Sequence, residues 1–249
     1  MSRILAEPPA HRVVGIIGGM GPEATVELMR RVIARTPADG DQDHIHVIVE
    51  SNPKIPSRMA HLIERTGSDP TPELIRIARN LQRAGADVLA MPCNTAHGYL
   101  PAIQAAVSIP MLDMVQLTVA QLARLRPNAR VGLLASSALI MAGVYARPLA
   151  AHGLEPVLPQ RQEDLMALIK GVKRGSAGTE AGLKLADLSR ELSLRADVLL
   201  IACTELSVIS APLKTAPERA IPLIDSIDVL TQAIVEFAAA PPLGQRLGR

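Results

Sequence analysis

The chain contains two cysteines, Cys93 and Cys203, and each follows the same apolar phrase at the same spacing. Ala86-Asp87-Val88-Leu89 leads into Cys93, and Ala196-Asp197-Val198-Leu199 leads into Cys203, 110 residues further on. Each thiol stands where an apolar run stops and a polar pair begins, Asn94-Thr95 in one case and Thr204-Glu205 in the other. A thiol in that position sits at a strand-to-helix turn. The free N–H groups and partial positive charge of a helix N-terminus favour a thiolate there and can hold a substrate carboxylate. Matching thiols in two halves predict one site built from both. The competing reading is a pair of inert buried cysteines acting as small apolar residues.

The repeat extends beyond the cysteines. Gly15-Ile16-Ile17 has a counterpart in Gly132-Leu133-Leu134, and Ile109-Pro110-Met111-Leu112-Asp113 has one in Ile221-Pro222-Leu223-Ile224-Asp225. Three landmarks recurring in order at separations of 110 to 117 residues indicate an internal duplication. Short continuous apolar runs alternate with amphipathic segments. Strands are expected at Val13–Ile17, Ile45–Val49, Val88–Met91 and Pro110–Leu112, then at Val131–Leu134, Glu155–Leu158, Val198–Ala202 and Pro222–Ile224. Helices are expected at Pro22–Arg35, Pro72–Ala84, Gly98–Ala106 and Val115–Arg124, then at Ile140–Ala151, Glu163–Lys173, Thr179–Leu194 and Ile227–Ala239. That alternation implies an α/β fold of two similar parallel-sheet αβα domains related by a pseudo-two-fold axis, with the active site in the cleft between them. Residues 1–114 plus 224–249 would form the first domain and 115–223 the second.

Composition narrows the partners. One Phe, two Tyr and no Trp leave no aromatic platform on which to stack bases, and a formal charge of +2 with scattered basic residues supplies no nucleic-acid surface. No run approaches the length of a membrane span. Residues Met1–Ala10 lack an apolar core and read as an irregular lead-in, and Ala240–Arg249 as a frayed tail, so a cytoplasmic location is expected.

Four motifs, in order, resemble the aspartate/glutamate racemase family. They are Gly18-Gly19-Met20-Gly21-Pro22-Glu23-Ala24-Thr25, Ser51-Asn52-Pro53-Lys54-Ile55-Pro56-Ser57-Arg58, Pro92-Cys93-Asn94-Thr95-Ala96-His97 and Cys203-Thr204-Glu205-Leu206. The Gly-Met-Gly-Pro opening and the Cys-Thr-Glu run resemble the aspartate racemase branch, and the resemblance spans roughly residues 13 to 237. It implies cofactor-independent racemisation of a small acidic amino acid, aspartate first and glutamate next, without pyridoxal phosphate or metal. One thiolate would take the α-proton while the opposite thiol delivers one. The resemblance carries the catalytic roles onto Cys93 and Cys203, and it implies a homodimer.

The resemblance and the strand-end placement together suggest the substrate-binding residues. Arg58 supplies a guanidinium for a carboxylate, and Lys173, with Lys170 as the alternative, supplies an ammonium. Met20, Asn52, Asn94, Thr95, Ser136, Thr204 and Glu205 are expected to line the cleft. Ser136 stands where the family usually has threonine, and Ala138-Leu139 replaces its Gly-Thr, so the polar lining of the second half departs from the pattern. Asp113 and Asp225 are read as helix N-caps, and His97 as a supporting histidine with no second ligand cluster to make a metal site. Three rivals remain. Gly19-Met20-Gly21-Pro22-Glu23-Ala24 satisfies a dinucleotide fingerprint, with Glu50 as a late acidic partner. A two-domain binding protein would need the cleft without the thiols. A racemase or isomerase of a related acid or hydantoin would keep the fold and change the reaction.

Overall fold

The structure is a computed structural model describing residues 12–215 and 221–240. The predicted lead-in and nearly all of the predicted tail lie outside those residues. The first half runs β1 (Val14–Gly18), α1 (Pro22–Arg35), β2 (Val47–Ser51), α2 (Thr71–Arg83), β3 (Val88–Ala90), α3 (Leu100–Gln104) and α4 (Met114–Leu125). The second runs β4 (Arg130–Leu134), α5 (Ser137–Met141), α6 (Ala146–Ala151), β5 (Glu155–Val157), α7 (Gln162–Lys173), α8 (Thr179–Ser193), β6 (Val198–Ile201), α9 (Thr204–Val208), α10 (Ala211–Thr215), β7 (Leu223–Asp225) and α11 (Ser226–Ala239). Two parallel sheets result, ordered β2-β1-β3 and β5-β4-β6-β7. The first sheet has a fourth position too. Met111 bridges to Leu89, and Leu89 N–H donates to the Pro110 carbonyl at 2.9 Å, as Leu199 N–H does to Pro222. The strand expected at Pro110–Leu112 is thus reduced to a single bridge, while its counterpart β7 pairs fully with β6.

The repeated residues have the same packing job in each half. The Asp87 carboxylate accepts from Val13 N–H at 2.7 Å, and the Asp197 carboxylate accepts from Arg130 N–H at 2.8 Å. Each fastens the start of one central strand to the start of its neighbour, at the end of the sheet opposite the cysteines. Gly15 and Gly132 are glycine for matching reasons. A Cβ at Gly15 would come 2.9 Å from Ala86 Cβ, and one at Gly132 would come 3.0 Å from Ala196 Cβ.

Helices α4 and α11 exchange sides. Met114 is buried with Val14 and Ile16 of the first sheet, but Val115, Val119 and Leu122 pack into the second half's core. Conversely α11 follows the last strand of the second sheet and buries Ile227, Leu230 and Ile234 against the first. Both helices carry the predicted aspartate cap. Asp113 Oδ1 accepts from Val115 and Gln116 N–H, and Asp225 Oδ1 accepts from Ile227 N–H. Two expected helices differ. Gly98–Ala106 begins as a tighter 3-10 turn over Thr95–Tyr99 before α3. Ile140–Ala151 is split into α5 and α6 because Gly143 takes a left-handed φ of 64°. No helix among the described residues is long and apolar enough to cross a membrane.

Candidate active site

Both cysteines end up where a parallel sheet presents its ligands, just beyond the carboxyl ends of central strands. Cys93 follows β3 after Met91-Pro92, and Cys203 follows β6 after Ala202. They line one cavity of about 100 Å³, Cys93 from the first half and Cys203 from the second. Around them stand Met20 from the turn after β1, Ser57, Arg58 and Met59 from the segment after β2, and Asn94 and Thr95 beside Cys93. The second half contributes Ser136 and Ala138, Thr204 and Glu205, and Met166, Ile169, Lys170 and Lys173 from α7. Both candidate lysines therefore face the cavity.

The two thiols have different surroundings. Cys203 Sγ–H donates to Glu205 Oε2 at 3.0 Å, and Lys173 Nζ pairs with Glu205 Oε1 at 3.2 Å. Burial and then the Glu205 carboxylate push the Cys203 thiol well above its ordinary value, against the pull of Lys173. The thiolate expected from its place before α9 is therefore overturned for Cys203. Desolvation and a neighbouring negative charge outweigh five residues of helix. Burial alone would lower Lys173, but attraction to Glu205 and to the cysteines holds its ammonium above the ordinary value.

Cys93 is held through its backbone. Its carbonyl meets His97 Nδ1 at 2.9 Å, while His97 Nε2 meets Met114 N–H at 3.1 Å. Met114 N–H can only donate, so Nε2 accepts and Nδ1 carries the proton that goes to Cys93. Burial holds this imidazole below its ordinary value, in keeping with that neutral form. His97 thus joins the Cys93 loop to the start of α4.

Three expected lining residues prove to be otherwise engaged. Asn52 does not reach the cavity. Its amide donates to Glu73 at 2.5 Å and its carbonyl accepts from Lys54 N–H, while its backbone packs so closely on Gly19 that a Cβ there would collide. Asn94 faces the cavity, but its Nδ2 donates to Ser226 and its Oδ1 accepts from Tyr145. Ser136 caps α5 by accepting from Leu139 N–H. Arg58 donates to the Pro56 carbonyl at 3.0 Å and to the Met20 carbonyl at 3.5 Å, which holds the guanidinium at the rim. Residues missed by sequence reasoning include Met166 and Ile169. Their spacing from Lys170 and Lys173 on one face of α7 is the signal that would have found them.

The dinucleotide reading loses its acidic residue, because Glu50 is tied to Arg76 at 2.7 Å and to Asn80 at 3.1 Å. Among the described residues, no group of three or more His, Cys, Asp or Glu is placed to hold a metal ion.

Two like halves, each a parallel sheet giving one thiol to a shared cavity, make an α/β protein whose candidate site lies between its halves. Residues 17–234 match the Asp/Glu/hydantoin racemase family, and the chain belongs to it. Members of that family are isomerases. The broad-specificity amino-acid racemase RacX of Bacillus subtilis is 29% identical over 228 residues, covering 90% of this chain and 96% of that protein. The aspartate racemase of Picrophilus torridus superposes with a TM-score of 0.80 at 30% identity, covering 91% of this chain and 94% of that one. Glutamate racemase of Campylobacter jejuni shares the fold, with a TM-score of 0.63 at 16% identity, covering 90% of this chain and 85% of that one.

Proposed function

We propose that this chain interconverts L- and D-aspartate by proton transfer at Cα between Cys93 and Cys203, without pyridoxal phosphate, and that glutamate is its next substrate. The observation that carries the reading is that the two cysteines, one from each half, line a single small cavity. Inversion needs a base on one face of Cα and an acid on the other, and two pseudo-symmetric halves supply opposed groups. In the resting chain Cys203 is the acid, because its proton is held by burial and by the bond to Glu205. Cys93 is then the base for the enantiomer taken up first. Its sulfur gains the α-proton, the carbanion gains the Cys203 proton on the opposite face, and the two thiols exchange roles.

Charge favours an acidic substrate. Arg58, Lys170 and Lys173 stand against the single carboxylate of Glu205 in the cavity wall. Lys173 is committed to Glu205, which leaves Arg58 and Lys170 to meet two carboxylates. A second reading, a wider range of side chains, draws on an adjoining cavity of about 340 Å³. It shares Met20, Ser57, Arg58, Lys173 and Glu205 with the first and opens at the start of α1. The similarity to a broad-specificity racemase points the same way.

The test is incubation of the chain with L-aspartate, L-glutamate and a panel of neutral amino acids in D₂O, with α-deuteration and optical rotation followed together. Racemisation of aspartate without added cofactor is expected, and its loss in both Cys93→Ser and Cys203→Ser. An inert wild-type chain, or a racemising Cys203→Ser chain, sinks the proposal. Faster turnover of a neutral amino acid than of aspartate selects the wider reading.

A further inference from the structure

Two buried hydrogen-bond networks, one from each cysteine's loop, end on neighbouring residues. On the first side Asn94, next to Cys93, donates from Nδ2 to Ser226 Oγ at 2.9 Å and accepts at Oδ1 from the Tyr145 hydroxyl at 2.7 Å. On the second side Ser207, on the short helix that begins after Cys203, donates to Asp225 Oδ1 at 2.7 Å. The Ser207 carbonyl accepts from Arg31 Nη2 at 2.8 Å, and Arg31 Nη1 pairs with Asp225 Oδ2 at 2.6 Å. Asn94, Tyr145, Ser207, Asp225 and Ser226 are all buried. Asp225 and Ser226, the cap and first residue of α11, therefore take one bond each from the two thiol-bearing loops.

The tethers run crosswise. The Cys93 loop belongs to the first half and is bonded to Tyr145 of the second. Helix α9 belongs to the second half and is gripped by Arg31 of the first. Relative displacement of these loops is the error to which a two-base reaction is most sensitive, since both sulfurs must reach the same carbon. Apolar packing between the halves is non-directional, whereas hydrogen bonds hold their partners in distance and angle.

We infer that the Asp225–Ser226 pair is a positioning node that sets the spacing of Cys93 and Cys203 for proton transfer. The inference rests on the racemase reading above and adds to it a device outside the cavity wall. Tyr145→Phe and Ser226→Ala, made in the full chain, each remove one bond of the Cys93 branch while keeping the apolar bulk of the side chain. With a loop displaced by about an ångström, kcat should fall on the order of 10- to 100-fold. KM should hold, because Arg58 and Lys170 lie on other elements. In D₂O the wild-type chain should couple α-deuteration to inversion. The variants should show excess deuteration with retention, as one thiol removes the proton, exchanges with solvent and returns deuterium to the same face.

Unchanged kcat, or a proportional fall in exchange and inversion together, overturns the node. A wild-type chain that exchanges no α-proton overturns the racemase reading instead. The node is then judged by 1,3-dibromoacetone bridging of the two thiols. A lower bridged yield in the variants supports it, and an unaltered yield overturns it.

Discussion

Glu205 is shared between a thiol and an ammonium, and its charge favours the protonated form of both. It holds the proton on Cys203 and keeps Lys173 charged. Glu205→Gln should therefore lower the pH at which Cys203 becomes alkylable, read as the iodoacetamide rate against pH in a Cys93→Ser background. An unshifted profile would mean that burial alone sets this thiol. His97 carries a different pH signature. Its imidazole is buried neutral with a value below the ordinary one, so the unfolded chain binds a proton before the folded chain does. The stability it contributes is present above about pH 6.5 and is lost as the pH falls through and below that value. His97→Gln should cost about 1–3 kcal/mol at neutral pH, and thermal melts should show the gap to wild type narrowing as the pH falls from 7 to 5.

The helices and strands were legible in proportion to their length and regularity. Helices α1, α2, α7 and α8 declare themselves by apolar spacing, by acidic first turns and by basic last turns, which suit the helix dipole. Helices α9 and α10, at five residues each, are too short to show a period. The turn of π-helix over Ala60–Glu64, which follows Arg58, has no sequence signal. The lining of the candidate site was legible at the cysteines, which the internal repeat marks, and at Arg58 and the lysines of α7, which the family resemblance singles out, since all of them line one cavity. It was illegible where a partner distant in sequence claimed the side chain, as Glu73 claims Asn52, and Tyr145 and Ser226 claim Asn94. The repeated glycines were visible as a pattern, but their cause lies in packing. Gly132→Ala should destabilise the chain by about 1–3 kcal/mol through overpacking against Leu192, Ala196 and Leu199. A melting temperature equal to wild type would show that the neighbours can give way.

Across the whole molecule, the halves are joined by a charge cluster centred on the buried pair Arg31 and Asp225. Arg31 meets Glu27, Asp225 and Asp228, and Lys214 meets Asp225 and Asp228. Burial would raise the Asp225 carboxyl, but Arg31 and Lys214 hold it below its ordinary value. Asp225 therefore adds stability above the unfolded aspartate value of about 3.9, and that stability is lost as the pH falls toward its depressed value. Arg31→Met leaves Asp225 without its closest cation and should cost about 3–5 kcal/mol at pH 7. Denaturant melts at pH 7 and pH 3 should show the difference shrinking in acid.

The exchange of α4 and α11 also bears on the order in which the protein can be made. Residues Val14 and Ile16 leave the ribosome early, yet Ile227, Leu230 and Ile234, which cover them, are translated more than two hundred residues later. The first sheet cannot close its core as a vectorial unit, although domains commonly fold in the order they are synthesised. Until α11 arrives, that face of the sheet is covered only by Leu28 and Val32 of α1 and by Met114, and neither thiol-bearing loop has its shared anchor. A nascent chain stalled before Ser226 should remain protease-sensitive across β1 to β3, and release of the full chain should protect it. Protection already present in the stalled chain would show that the first half folds without its last helix.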